Sequence, residues 1–174
     1  MDKNDNRIVV VDAQDKVIEL KDKFAVHKNP VPLHRAISVL IYSPDKSKVL
    51  LQKRSKDKYT WPGYWSNTCC SHPKGWENYG QAAKRRLFEE MGITANLAKR
   101  FKFIYANTYN DTWGENELDC VFTGTYEGEV KPDPKEVAEW KWMDMEELTE
   151  DLEVHPDLYT PWFKIILEKL NLSL

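Results

Sequence analysis

The sequence lacks the features that mark nucleic-acid-binding and membrane-spanning proteins. Its 25 lysines and arginines are outnumbered by 28 aspartates and glutamates, giving a formal net charge of −3, whereas a nucleic-acid-binding protein usually presents a basic face. Its longest apolar runs, such as residues 37–41, are far too short to cross a bilayer. We therefore expect no nucleic acid and no membrane among its partners, and an anionic ligand would have to meet a local basic cluster.

Cysteine is scarce as well. Only three cysteines occur among 174 residues and two of them are adjacent, which is not the framework of a secreted disulfide-linked protein. Residues 1–5 carry no apolar signal region, so we expect a reduced, cytoplasmic protein. The length fits one domain over residues 1–174, which would bury roughly two-thirds of the surface of its unfolded chain. The sequence contains no repeat and no interdomain linker.

The hydrophobic pattern predicts a mixture of strands and helices. The predicted strands cover residues 8–11, 16–20, 35–42, 48–53, 101–105, 117–126 and 139–143. The first two should form an N-terminal β-hairpin, and the next two should pair with each other. A helix is expected over residues 78–91, ended by Gly92. Asp144 and Thr160 are expected to cap two further helices, the last with a buried stripe of Trp162, Ile165, Ile166 and Leu170. The fold class is α+β, a sandwich.

Three short segments carry side chains suited to a catalytic site. Cys70 and His72 are two residues apart in an extended segment, so their side chains point to one side. Glu115 and Glu117 repeat this spacing on a strand whose opposite face is apolar. Glu90 lies in the last turn of the predicted helix, where a negative charge opposes the helix dipole and requires a positive partner such as a metal ion. One site built from all three segments would be that of an enzyme.

Two resemblances give this site a chemistry. Residues 71–93 resemble a Nudix box, with Ser71 where the box normally opens with glycine and Arg86 where it normally carries a glutamate. The lost glutamate counts against the multi-cation pyrophosphate hydrolysis that an intact box supports. The chain from Lys23 to Trp162 resembles the type I isopentenyl-diphosphate isomerases more closely. The motifs that carry this resemblance are residues 23–27 with His34, 61–63 leading to 67–73, 113–117 and 161–162.

The resemblance implies a fold, an activity and a set of site residues. The implied fold is a Nudix-like α/β/α sandwich around a mixed sheet. The implied enzyme moves a C=C bond, interconverting isopentenyl diphosphate and dimethylallyl diphosphate by metal-dependent protonation and deprotonation of the alkene. Cys70 and Glu117 become the catalytic pair, and Lys23, Arg54, Lys58 and Ser71 become contacts of the diphosphate. The implied ligands of one metal ion are His27, His34, His72, Glu115 and Glu117.

Two kinds of metal ion are implied. Three imidazoles with two carboxylates suit Zn²⁺ or Mn²⁺ in an expanded geometry, whereas Mg²⁺ prefers oxygen ligands, and the choice among the three stays open. The resemblance makes Glu90 the ligand of a separate Mg²⁺ held with the substrate diphosphate.

The reaction itself explains two further residues. A protonated alkene is a tertiary carbocation, so the pocket must be dry and the acid strong. Trp162 offers an electron-rich ring to that cation, and we expect Tyr105 to hydrogen-bond the catalytic carboxylate. The sequence leaves open which of Cys70 and Glu117 protonates first, the direction of flux, and whether the protein is a monomer or a weak homodimer.

Two other functions compete with this one. A Nudix pyrophosphohydrolase would use the box glutamates to gather cations, and a non-enzymatic protein would use the three histidines for a structural metal only. Several residues also have plain structural interpretations. Cys69 and Cys120 are expected to be buried packing residues, His155 a surface residue, and the tryptophans at 61, 65, 140 and 142 packing residues.

Overall fold

The fold is a mixed sheet covered by helices on both faces, seen in a computed structural model that describes residues 7–170. These residues form nine strands and four α-helices. The strands are β1 (Ile8–Val11), β2 (Val17–Lys21), β3 (His34–Tyr42), β4 (Lys48–Arg54), β5 (Trp65–Ser66), β6 (Cys69–Ser71), β7 (Ala98–Thr108), β8 (Gly114–Thr125) and β9 (Val137–Asp144). The helices are α1 (Lys23–Val26), α2 (Tyr79–Met91), α3 (Met145–Val154) and α4 (Pro161–Lys169). The predicted α+β sandwich and the N-terminal hairpin of β1 and β2 are confirmed.

Strand β3 is the centre of the sheet. Along one edge it runs parallel to β8 for nine residue pairs, from His34 opposite Glu117 to Tyr42 opposite Thr125. Along its other edge it meets β1 near His34, then β6 around Ser38, and finally β4 at Tyr42. Strand β7 extends the sheet beyond β8. The parallel pairing thus brings two segments that are far apart in sequence into one register.

The predicted pairing of β3 with β4 is wrong for most of its length. The two strands meet only where Tyr42 lies opposite Val49, and β4 then pairs with β9 and β5 instead. The short strand β6 takes the place beside β3 that a simple hairpin would have given to β4. The separation has a use, because residues from β4, β6 and β8 line one cavity.

Each face of the sheet has its own apolar core. Leu87 and Met91 of α2 pack against Ile37 and Leu50 on one face. On the other face, α3 and α4 pack against Leu40. The buried side of α4 is formed by Trp162, Phe163, Ile166 and Leu167. The predicted stripe was therefore right for Trp162 and Ile166 but wrong for Ile165 and Leu170, which are only partly buried. The buried side of α4 consists of two pairs of consecutive residues, 162–163 and 166–167.

Helix α2 was predicted over residues 78–91 with Gly92 as its stop, and it forms one residue shorter, with Asn78 as its N-cap. Asn78 and Gln81 make a capping box, each side chain accepting a hydrogen bond from the other's backbone N–H, and Gly92 ends the helix in the left-handed conformation with φ 68°. Asp144 and Thr160 occupy the predicted N-cap positions of α3 and α4, but neither side chain makes a capping hydrogen bond. The Asp144 carboxylate instead lies 3.3 Å from the Lys48 ammonium, and the Thr160 hydroxyl contacts Ser66 of strand β5.

Within residues 7–170, no helix is both long and apolar enough to span a membrane. The prediction of a single domain over residues 1–174 stays a prediction, and its two ends, 1–6 and 171–174, lie outside the described residues.

Gly80 within α2 and Gly92 directly after it should respond oppositely to substitution by alanine. Gly92→Ala places a Cβ 2.8 Å from the Lys131 carbonyl oxygen, in a backbone conformation that L-residues disfavour. We therefore expect the free energy of unfolding to fall by about 1–2 kcal/mol, which lowers Tm by about 2–8 °C. Gly80 has an ordinary φ, and a Cβ added there would have its nearest contact 3.5 Å away. Gly80→Ala should therefore raise the free energy of unfolding by about 0.4–1 kcal/mol. Thermal melts by circular dichroism test both, and a Gly92→Ala variant as stable as Gly80→Ala would contradict this account.

Candidate active site

Five potential metal ligands converge at one end of β3 and β8. The five residues are His27, His34, His72, Glu115 and Glu117, and their ligand atoms all lie within 4.8 Å of one another. His72 Nε2 lies 2.9 Å from Glu117 Oε1, and His27 Nε2 lies 3.3 Å from Glu115 Oε2. His34 reaches the cluster because the parallel register sets it directly opposite Glu117.

The histidines are oriented by backbone carbonyls. Nδ1 of His27 lies 2.7 Å from the Lys23 carbonyl oxygen, and Nδ1 of His34 lies 2.9 Å from that of Pro32. Because carbonyl oxygens only accept, each Nδ1 carries the hydrogen and each Nε2 presents its lone pair to the cluster. Among the described residues, His34 Nε2 and Glu115 Oε2 are buried without a hydrogen-bond partner. A cation bound between these two atoms would satisfy both of them.

The protonation states also suit a metal ion. Burial, followed by the neighbouring imidazoles, lowers the pKa of His27 to about 2, and burial lowers the pKa of His72 to about 4. Both rings are therefore neutral at pH 7, the form that coordinates metals. Burial and the charge of Glu117 raise the pKa of Glu115 well above its ordinary value. A divalent cation removes this conflict between two buried carboxylates, so the cluster is able to hold one.

A cavity of about 220 Å³ opens beside this cluster. Its volume is below the roughly 300–1,000 Å³ of sites for drug-sized ligands, which suits a small substrate. It is lined by eight of the predicted catalytic and diphosphate-binding residues, namely Lys23, Arg54, Lys58, Cys70, Ser71, Tyr105, Glu117 and Trp162. The fold therefore brings these predicted residues together, while His34 lies behind the cavity wall and Glu90 is not part of its lining.

Cys70 and Cys69 point to opposite faces of β6, as predicted from strand geometry. Cys69 is fully buried in the core beneath α2, and Cys70 faces the cavity. The Cys70 sulfur lies 3.7 Å from Arg54 Nη1 and 3.9 Å from Gln52 Nε2. Burial raises the pKa of the Cys70 thiol to about 11, although Arg54 opposes the rise. The thiol is therefore protonated at pH 7.

Glu117 and Trp162 line the same cavity as Cys70. The Tyr105 hydroxyl donates a hydrogen bond to Glu117 Oε2, because β7 and β8 pair these two residues directly. Burial, and then the charge of Glu117, raise the pKa of Tyr105 well above its ordinary value, so it stays a donor. The Trp162 ring is 3% exposed, and the guanidinium carbon of Arg54 lies 5.1 Å from its centroid. A cation thus already occupies one face of this ring.

Comparison with known proteins identifies the family. Residues 32–163 match the NUDIX domain family. Isopentenyl-diphosphate Delta-isomerase 1 of Aromatoleum aromaticum is 40% identical over 166 residues, covering 95% of this chain and 93% of that protein. The isopentenyl-diphosphate Delta-isomerase of Serratia proteamaculans is 36% identical, covering 96% of this chain and 92% of that protein. The chain belongs to the isopentenyl-diphosphate Delta-isomerase family.

Solved structures show the same fold at lower identity. A crystal structure of a Deinococcus radiodurans protein matches with a TM-score of 0.69 at 15% identity, covering 86% of this chain and 90% of that one. A MutT protein from Methanosarcina mazei matches with a TM-score of 0.66 at 21% identity, covering 80% of this chain and 94% of that one. The Nudix-like α/β/α sandwich is confirmed.

In this isomerase-family chain, Arg86 of the Nudix-box segment forms an ion pair with Glu90. The Glu90 carboxylate is 1% exposed and accepts hydrogen bonds from Arg86 at 2.6 and 3.2 Å. Arg86 also bonds Glu136 at 2.8 Å, and Glu136 in turn accepts from Lys58. The positive partner that the helix end requires is therefore supplied within the chain. The assignment of Glu90 to a Mg²⁺ ion stays a prediction.

Two polar residues of this isomerase-family site, Thr60 and Glu136, were not predicted from the sequence. Thr60 donates to Glu115 Oε1 at 2.6 Å, and its carbonyl accepts from Arg54 Nη2 at 2.8 Å. Although burial alone would raise it, Lys58 and Arg86 lower the pKa of Glu136 to about 2, so this carboxylate is charged beside the cavity. Thr60 precedes the Trp-Pro-Gly motif directly, which was the available signal. The sequence around Glu136 carries no such mark.

Glu115→Gln should weaken metal binding specifically. A 100-fold loss of affinity removes about 2.7 kcal/mol of ligand-linked stability, or about 5–10 °C of the Tm increase that saturating Mn²⁺ or Zn²⁺ should give the parent protein. Without metal, the variant should be at least as stable as the parent, because a neutral amide replaces a carboxylate buried beside Glu117. His155→Ala, at an exposed residue outside the cluster, is the control. Equal metal-induced shifts in all three proteins would contradict the assignment.

Proposed function

We propose that this protein interconverts isopentenyl diphosphate and dimethylallyl diphosphate, as an isomerase of isoprenoid biosynthesis. The observation that carries the proposal is the placement of Cys70 and Glu117, from β6 and β8, on one small cavity beside a histidine–carboxylate cluster. The reaction adds a proton to the terminal alkene carbon and removes one from the carbon beyond the double bond. It therefore needs two proton-exchanging groups at one substrate, which this cavity supplies.

The two groups differ in their resting state. The Cys70 thiol holds a proton at pH 7, and Glu117 is kept as an acceptor by the hydrogen bond that Tyr105 donates to it. Between the two steps the substrate carries positive charge, and the Trp162 ring can stabilise it by about 2 kcal/mol if the site is dry. The buried surroundings of Trp162 and Tyr105 exclude the water that would capture the cation.

The diphosphate is proposed to bind at the basic mouth of the cavity. Arg54, Lys23 and Lys58 provide positive charge there, with Ser71 as a hydroxyl contact. Arg54 is held rigidly, because its Nε and Nη2 donate to the carbonyl oxygens of Trp61 and Thr60. A rigid guanidinium loses little freedom on binding a charged oxygen. Mg²⁺ bound with the diphosphate through Glu90 would require Arg86 to release that carboxylate.

The five-residue cluster is proposed to hold one Zn²⁺, Mn²⁺ or Mg²⁺ ion. Three imidazole nitrogens with two carboxylates favour Zn²⁺ or Mn²⁺ over Mg²⁺. When bound, the ion supplies positive charge that stabilises the anionic form of Glu117. A monomer or weak homodimer and a cytoplasmic location stay predictions, as does the absence of nucleic-acid and membrane partners.

The competing function, pyrophosphate hydrolysis, fits the geometry less well. A hydrolase of this fold needs free box glutamates to gather cations at a phosphoanhydride. Here Glu89 and Glu90 are both paired with Arg86, which stands where the box normally has a further glutamate. Helix α2 therefore carries a positive guanidinium, which repels cations, where a hydrolase would have a third carboxylate to bind them.

Incubation with isopentenyl diphosphate in D₂O, with the diamagnetic ions Mg²⁺ and Zn²⁺ present, should produce dimethylallyl signals in the proton NMR spectrum. Deuterium should appear in the newly formed methyl group, because the added proton comes from a group that exchanges with solvent. A sample treated with chelator is the control and should be inactive. Release of free phosphate in the phosphorus spectrum would identify a hydrolase instead, and no change at all would leave only a metal-binding role.

Adjacent cysteines provide a matched test of the catalytic assignment. Cys70→Ala should lower turnover by at least about 10³-fold, as expected for loss of a proton-transferring group, with the Tm within about 3 °C of the parent. Cys69→Ala should keep most turnover but lose stability, because it opens a small cavity in the core beneath α2. Measuring kcat and Tm for both variants separates the roles. Equal losses of kcat would contradict the assignment of Cys70.

A further inference from the structure

The Thr160 hydroxyl is used in an unexpected way. Thr160 stands at the N-cap position of α4, yet its side chain makes no capping bond there. Its Oγ1 instead lies 2.8 Å from Ser66 Oγ, a residue of β5 that is 94 positions earlier in the chain. Both residues are fully buried. An N-cap threonine that gives up its capping bond must gain something from the alternative contact.

Ser66 connects this hydroxyl to the Cys70 thiol. Ser66 Oγ lies 3.6 Å from Cys70 Sγ and 3.0 Å from Asn67 Oδ1. The Asn67 amide is fixed in orientation, because its Nδ2 donates to the carbonyl oxygens of Val39 and Cys69. Its Oδ1 therefore faces Ser66 as an acceptor only. Three polar groups, two from residues 67–70 and one from Thr160, meet at one serine hydroxyl.

Counting hydrogens gives this network a direction. Ser66 has one hydrogen, and its Oγ donates to Asn67 Oδ1, which can only accept. With that bond made, Ser66 Oγ is the acceptor in its contacts with Thr160 and Cys70. The Cys70 S–H bond is then directed at Ser66, which is not part of the cavity lining, while other sides of the sulfur face the cavity, Gln52 and Arg54. The hydroxyl pair thus fixes both the side-chain position of Cys70 and the direction of its hydrogen.

We propose that Ser66 and Thr160 are positioning residues for Cys70. They hold the Cys70 sulfur toward the cavity through a chain of hydrogen bonds that begins two residues before Trp162. This chain ties β6, which carries the thiol, to α4, which carries the ring of Trp162. The proposal deepens the proposed function and rests on it for its kinetic consequence, although the hydrogen bond to Cys70 can be tested without turnover.

Two substitutions at Thr160 separate positioning from packing. Thr160→Val keeps the branched shape and removes the hydroxyl, whereas Thr160→Ser keeps the hydroxyl and removes a methyl group from a buried site. The backbone N–H of Thr160 donates to the Trp65 carbonyl at 2.9 Å, so α4 stays attached to β5 in both variants. A positioning role makes valine the more damaging change. A packing role makes serine the more damaging one.

We expect Thr160→Val and Ser66→Ala each to lower kcat about five- to tenfold, the contribution of one buried neutral hydrogen bond. KM for isopentenyl diphosphate should change less than about twofold, and Thr160→Ser should keep kcat within about twofold of the parent. The double variant Ser66→Ala/Thr160→Val should cost about as much as one single variant, because both break the same chain. Equal losses for valine and serine at residue 160, or additive losses in the double variant, would overturn the proposal.

The infrared S–H stretching band tests the same contact without activity. The Cys70 band is identified as the one lost in Cys70→Ala, and the bands of Cys69 and Cys120 serve as internal references. In Ser66→Ala the Cys70 band should move to higher wavenumber, because its hydrogen-bond acceptor is gone, and in Thr160→Ser it should stay in place. An unchanged band in Ser66→Ala would overturn the proposal. A shifted band in a protein that does not isomerise the substrate would uphold the contact and reject the proposed function alone.

Discussion

The parallel pairing of β3 with β8 is the contact on which the site depends. It sets His34 opposite Glu117, and the same β3 strand carries Ser38 opposite Cys70 on β6. Side chains alternate along a strand, so a slip of one residue would turn both glutamates of β8 to the apolar face. Such a slip would also bury their charges against the apolar cluster of Val9, Val11 and Leu118. Hydrophobic burial on that face therefore fixes the register, and the register fixes the positions of the polar groups.

This arrangement buries more polar groups than a stable core needs. His27, His34, Glu115 and Glu117 are each less than 10% exposed, and burying such groups without full pairing costs stability. The surrounding shell offsets part of this cost. Thr60 and Tyr105 each bond one carboxylate, and backbone carbonyls hold two imidazoles. The remaining unpaired acceptors point at one another, which is the arrangement that a cation completes.

Local patterns in the sequence were sufficient for part of this description. Strand alternation predicted that Cys70 and Cys69 face opposite ways, and Gly92 predicted the C-terminal end of α2. The sequence did not indicate that β4 pairs with β3 at only one residue pair. The neighbouring part of that edge of β3 is taken by β6, where Val39 pairs with Cys69. Nor did the sequence indicate that Thr160 bonds Ser66 rather than its own helix. These outcomes depend on partners that are distant in sequence, whereas propensity and periodicity report only on neighbours.

Glu136 lies between Lys58 and Arg86 and carries a negative charge at neutral pH. The basic mouth of the cavity therefore contains its own counterion. A singly charged anion that enters must compete with a carboxylate already in place, so it gains little. An anion with several charges can replace that carboxylate and still have charge left for a second cation. If the diphosphate binds where it is proposed to, this internal competitor would favour ligands of higher charge, without any contact that measures the size or shape of the ligand.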